Sequence, residues 1–112
     1  RPDPLSKAIG ERIRLFREGA GLTLEKLAYE SELGSKGHLS DLEKGLTRPT
    51  VATLKALADR LGVEVLDLVT FPDEDDRQKL IDRTRGLARG TIRKLLREVV
   101  GPATSSRRKA AK

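Results

Sequence analysis

Gly21-Leu22-Thr23-Leu24-Glu25-Lys26-Leu27-Ala28, followed after a short link by Ser35-Lys36-Gly37-His38-Leu39-Ser40-Asp41-Leu42-Glu43-Lys44-Gly45, is the stretch that decides the fold. Thr23 and Ser35 each stand just ahead of apolar residues at helical spacing, where a side-chain oxygen can accept a hydrogen bond from the first turn of a helix. Leu24, Leu27 and Ala28 give the first of these helices an inward face. Leu39 and Leu42 do the same for the second, and Gly45 supplies its C-terminal stop. The link from Ser31 to Gly34 has turn composition. Two short helices joined by a tight turn are expected.

The flanks extend the pattern. Asp3-Pro4 reads as an N-cap followed by proline at the first helical position. Leu5, Ala8, Ile9, Ile13 and Phe16 then recur at helical spacing until Gly19-Ala20-Gly21 ends the helix. After the turn Arg48-Pro49-Thr50, Thr50 caps a helix with Val51, Leu54, Leu57, Ala58 and Leu61 on one stripe, ended by Gly62. Val63 to Val69 is expected to form a short fifth helix that closes the core. Phe71-Pro72 marks a domain boundary. Asp73, Glu74, Asp75 and Asp76 follow, suited to a helix N-terminus, and Leu80 and Ile81 give that helix a narrow apolar face. Gly86 and Gly90 interrupt, and Thr91 is expected to cap a last helix carrying Ile92, Leu95, Leu96 and Val99. Gly101-Pro102 ends the ordered part. The expected organisation is residues 1–72 as one helical domain, 73–101 as a helical extension, and 102–112 as a basic disordered tail with Arg107, Arg108, Lys109 and Lys112.

Composition agrees with an all-α chain. Aromatic residues make up only 3% of 112, so Leu, Ile, Val and Ala must build the core, which suits packed helices. The length fits one compact domain plus an appendage, and a core this small makes self-association or a partner reasonable. A net charge of +6 fits a polyanionic partner, nucleic acid or an anionic membrane, and equally a soluble protein with a highly charged surface. There is no cysteine and one histidine, His38, which excludes disulfides and any zinc cluster. No apolar run is long enough to span a bilayer, and Arg1 to Ser6 lacks the apolar stretch of a secretion signal, so a cytoplasmic location is expected, nucleoid-associated when bound. The chain does not begin with methionine, which leaves room for native residues ahead of Arg1.

Taken in order and spacing, Gly21-Leu22-Thr23, Glu25-Lys26-Leu27-Ala28, Leu39 to Gly45, Arg48-Pro49-Thr50, and Leu54, Leu57, Ala58 and Leu61-Gly62-Val63 resemble the phage repressor and Cro-like (XRE-type) helix-turn-helix family. The resemblance covers roughly residues 5 to 70. It implies a five-helix, lambda-repressor-like DNA-binding domain whose third helix enters the major groove. It also implies that Arg17 of the first helix pairs with Glu43 late in the third. Two departures stand out. Leu24 occupies the place where the family has a phosphate-binding glutamine, leaving that task to Thr23 or backbone N–H groups. The link through Glu32-Leu33-Gly34 is one residue longer than in the tightest members.

With Leu39 and Leu42 inward, Ser35, Lys36, Gly37, His38, Ser40 and Asp41 are the candidate base readers. Lys36 can donate to guanine O6 or N7 or to a phosphate. Asp41 can accept from cytosine N4 or orient Lys44. Gly37 lets the backbone approach, or merely starts the helix. His38 is a reader or a plain surface residue. Thr23, Lys44, Thr47 and Arg48 are the candidate phosphate contacts. Ile92, Leu95, Leu96 and Val99 form a stripe for a homodimer interface, as the family commonly builds from its last helices, or for packing against the fourth and fifth helices. The expected function is a sequence-specific regulator of transcription, a repressor, that reads double-stranded DNA at a near-palindromic operator. The alternative is an antitoxin-type module whose residues 73–100 bind a partner protein. A basic tail can add non-specific phosphate attraction or simply keep the chain soluble. A membrane role is not expected, because no aromatic amphipathic face accompanies that tail. No enzyme, cofactor or metal is expected: there is no glycine-rich phosphate loop, and the acids at 73–76 lie at a solvated helix start.

Overall fold

The computed structural model describes residues 2–101, and those residues contain helices and no strand. The basic tail expected at 102–112 lies outside the described residues. The helices are α1 (Pro4–Gly19), α2 (Leu24–Glu30), α3 (Lys36–Lys44), α4 (Val51–Leu61), α5 (Val65–Leu68), α6 (Asp76–Thr84) and α7 (Arg89–Val100). Contacts divide the chain into a first compact unit ending at Asp82 and a second beginning at Arg83. No helix among the described residues is long and apolar enough to cross a membrane.

Four of the first five helices start on the side chain that the sequence offers for the purpose. Asp3, Thr23, Ser35 and Thr50 each accept from the backbone N–H three residues on, at Ser6, Lys26, His38 and Thr53. Those bonds satisfy donors that a helix leaves open at its N-terminus. The hydrogen bond from the Ser6 N–H, with a second from the Ser6 hydroxyl, holds the Asp3 carboxyl below the ordinary carboxylate value. The capping contribution of Asp3 is therefore present at neutral pH and lost as the pH falls through that lowered value.

In the first unit Ile9, Ile13, Leu27, Ala28, Leu39, Leu42, Leu54, Leu57, Ala58 and Leu68 form one buried cluster. Three expectations about its edges need correction. Leu5 and Val51, read as inward, are exposed. Each sits in the first turn of its helix, and at the start of α1 Ser6 is the residue that is buried instead. The fifth helix is only Val65–Leu68, and Leu68 rather than Val69 closes the core. Glu64 precedes it in extended conformation, and its N–H donates to the Asp67 carboxylate at 2.8 Å.

The tightest packing joins α1 to α3. A Cβ on Gly10 would fall 2.5 Å from the carbonyl oxygen of Glu43 and 2.7 Å from its carbon, and still nearer the Leu42 carbonyl oxygen. At the end of α3, Gly45 has φ 78°, and a Cβ there would lie 2.6 Å from the Lys7 Cα. Both positions therefore exclude a side chain because backbone, not a flexible side chain, is in the way. A second tie is Arg12. Its Nε and Nη2 donate to the Asp67 carbonyl oxygen at 3.0 and 2.8 Å, and Nη2 also donates to Asp82 at 2.9 Å. Its guanidinium lies 4.8 Å from the centre of the Phe16 ring. One buried cation thus fastens α1 to α5 and to the second half of α6.

Ahead of α6, Asp75 accepts from the Gln78 N–H at 2.8 Å, and the Gln78 side chain in turn accepts from the Phe71 N–H at 2.7 Å. In the second unit α7 begins one turn earlier than expected. Ala88, not Thr91, precedes it, and the Ile92 N–H already donates to the Ala88 carbonyl at 3.0 Å. Gly90 lies inside the first turn, where backbone N–H groups have no helical partner in any case, so it does not interrupt the helix.

Gly10→Ala is expected to destabilise the chain by about 1–3 kcal/mol, by forcing α1 away from α3. Gly19→Ala, with nothing within 4 Å of the added carbon, should leave stability unchanged or slightly raised. Thermal unfolding of the two variants beside the parent checks this, and equal melting points for both would contradict it.

Candidate nucleic-acid interface

The arrangement of α2 and α3 begins with the link between them. Glu32 has φ 58° and Gly34 φ 92°, so two residues of the turn occupy the left-handed region. Glycine does this freely, while a glutamate does so at a cost of roughly 1–2 kcal/mol. The Leu33 N–H donates to the Ala28 carbonyl at 3.0 Å, and Leu33 packs against the core. The additional link residue is thus anchored rather than looped out.

The inward side of α3 is fixed. Leu39, Leu42 and Glu43 are buried. The Glu43 carboxylate accepts from Arg17 twice, from Nε at 2.6 Å and from Nη2 at 3.0 Å, while Arg17 Nη1 donates to the Leu22 carbonyl at 2.8 Å. The carboxylate pushes the Arg17 pKa up. A two-pronged pair of this kind sets geometry as well as charge. Its bonds reach α3 and the residue before Thr23, so one guanidinium holds both helices of the motif against α1. Removing either partner would leave the other charge buried and unpaired, which is the costly case.

The outward side follows. Gly37, Asp41 and Lys44, spaced i, i+4, i+7, are exposed along the middle of the free face. His38 and Ser40 flank it and are half-buried. Ser35 and Lys36 are exposed at its N-terminal end, though the Ser35 hydroxyl is engaged with the His38 N–H. Thr23 and Arg48 are exposed and Thr47 is half-buried. Asp41 and Lys44 form no ion pair with each other within 4.0 Å. Lys36 does form one: its ammonium lies 3.2 Å from Glu25 on α2. The Glu25 carboxyl is held below the ordinary range by its own backbone N–H first and by Lys36 second.

Sequence reasoning missed Gly10, Arg12 and Glu25. A glycine inside an otherwise helical run was the available signal for Gly10. Arg12 lies one turn before Phe16 and resembles any exposed arginine in sequence. Glu25 needed the three-dimensional position of Lys36.

In the second unit Ile92, Leu95, Leu96 and Val99 lie along α7 with 37%, 38%, 58% and 79% of their surface exposed. None is buried in the chain.

Two capped helices joined by a tight turn, the second braced from behind and bare in front, define a helix-turn-helix DNA-binding unit. Residues 8–70 match the family model described as "Helix-turn-helix domain", and the chain belongs to that family of DNA-binding transcriptional regulators. It is 41% identical over 70 residues to the HTH-type transcriptional regulator y4dJ of Sinorhizobium fredii, covering 62% of this chain and 90% of that one. It is 36% identical over 61 residues to the immunity repressor protein of Bacillus phage phi105, covering 54% of this chain and 42% of the repressor. Among solved structures it resembles the clp gene regulator ClgR of Corynebacterium glutamicum, with TM-score 0.56 and 31% identity over 80% of this chain and 99% of that one.

Proposed function

We propose that the chain is a homodimeric repressor that reads a near-palindromic operator by inserting the exposed face of α3 into the major groove. The observation that carries this reading is the two-sidedness of α3. Leu39, Leu42 and Glu43 hold one side, and a row of mostly polar and charged residues from Ser35 to Lys44 is exposed or half-exposed on the other. In this reading Lys36, Ser40 and Asp41 contact base edges, Gly37 allows close approach, and Ser35 and His38 line the entry. Thr23, Lys44, Thr47 and Arg48 contact phosphates and set register without reading sequence. The likeness to a phage immunity repressor supports repression as the outcome. In this reading the protein works in the cytoplasm, at the nucleoid when bound.

Dimerisation is supported by the apolar row on α7, since leucines at helical spacing left open to water are costly in a monomer. It is supported also by arithmetic: one small module covers too few base pairs to select a site against a genome of competitors. A two-fold dimer presents two α3 helices about 34 Å apart, one turn of duplex, and so selects inverted half-sites at that spacing.

Two measurements test the assignments. Lys36→Ala and Ser40→Ala should change site preference, each good base contact being worth about 1–3 kcal/mol, whereas Arg48→Ala should weaken binding to every duplex and flatten the salt slope. Identical behaviour of Lys36→Ala and Arg48→Ala on selected and random duplexes would contradict the division of roles. Replacing Leu95 and Leu96 with Glu should give folded monomers by sedimentation and circular dichroism, with much weaker operator binding. A folded variant that stays dimeric would move the interface elsewhere. A monomeric variant with full operator affinity would contradict the need for a dimer in reading the operator.

A further inference from the structure

The ion pair between Glu25 and Lys36 takes no part in the core. Both side chains are more than half exposed, and a pair in that setting adds little to stability. It joins the second residue of α2 to the first residue of α3, at the end of α3 assigned to base reading. The other end of the same surface is different: Lys44 and Arg48 form no ion pair within 4.0 Å with another described residue. One cation at this interface is neutralised in advance, Lys44 is not, and Arg48 has only the longer-range attraction of the Asp3 carboxylate.

The consequence follows from donor counting and charge. An ammonium has three N–H donors, and Lys36 directs one to Glu25, leaving two. A neutral acceptor such as guanine O6 or N7 can take a remaining donor while the pair stays intact. A phosphate meets a pair whose charges sum to zero. If Lys36 leaves Glu25 to bind that phosphate, a bare carboxylate is left facing a polyanion. The pair thus discounts backbone contacts far more than contacts to base edges.

We propose that Glu25 is a specificity-determining positioning residue, which through its ion pair keeps Lys36 from serving as a phosphate anchor and reserves it for a base edge. This rests on the reading that the N-terminal half of α3 enters the major groove.

The test is equilibrium binding of the full chain to a selected duplex and to a random duplex across a salt titration. Glu25→Gln should tighten random-duplex binding by about tenfold and steepen its salt slope by about one, the effect of one added phosphate contact. Binding to the selected duplex should tighten less, so that discrimination falls, while the melting temperature is unchanged. In a Lys36→Ala background the same substitution should move both duplexes equally and leave their ratio alone. Unchanged discrimination and slope in Glu25→Gln would overturn the proposal, as would an equal loss of discrimination with Lys36 removed. A parent chain that prefers no duplex over random sequence would contradict the groove reading itself, and this inference with it. A parent with clear preference that Glu25→Gln does not alter contradicts only the inference.

Discussion

The backbone of α1 touches the backbone of α3 at Gly10, and the rest of the first unit is arranged around that contact. Helices with ordinary side chains at the contact lie 8–10 Å apart, held off by those side chains. Here the missing Cβ lets the last turn of α3 come down on α1, with Gly45 against Lys7 continuing the contact. The Arg17–Glu43 pair then becomes possible, because both groups are brought to one side of the same seam, at 2.6 and 3.0 Å. Close packing sets the distance between the helices, and the two-pronged ion pair sets their rotation. Neither alone would fix which face of α3 is free.

That rigidity is what a base-reading surface needs. Hydrogen bonds to base edges depend on distance and angle, so their donors must be held by the scaffold rather than found on binding. Arg17 reaches the Leu22 carbonyl as well as Glu43, so α2 and α3 share one anchor. The Leu33 N–H bond to the Ala28 carbonyl ties the link back to α2. Arg12 extends the same principle, carrying α1's hold through Asp67 to Asp82.

Much of this was legible in the sequence, for identifiable reasons. Helix starts are local chemistry: Asp3, Thr23, Ser35 and Thr50 are residue types whose oxygen reaches the N–H three positions on, and each is used so. The buried leucines follow from helical period alone. The errors lie where local rules compete or where the third dimension decides. Thr91 had the right side chain for a cap, but the chain had already turned helical at Arg89. Leu5 and Val51 had the right period but lie exposed in the first turns of their helices. Gly10 looked like an imperfect helix residue until its neighbour was known. The pairing of Lys36 with Glu25, 11 residues apart across a turn, has no period to announce it. The expected face of α3 came from Leu39 and Leu42, whereas its flanks, with His38 and Ser40 half-buried, required the packed neighbours.

The central claim is that the bare face of α3, fixed by the α1 seam, reads the major groove. Guanine N7 opens only into that groove, so protection of N7 from methylation on a duplex selected from random sequence tests the claim most directly. The account predicts two patches of protected guanines in successive major grooves, centred about 10–10.5 base pairs apart, one for each α3. Tight binding that leaves every guanine N7 open to methylation, with contacts confined to the minor groove or the phosphates, would contradict it.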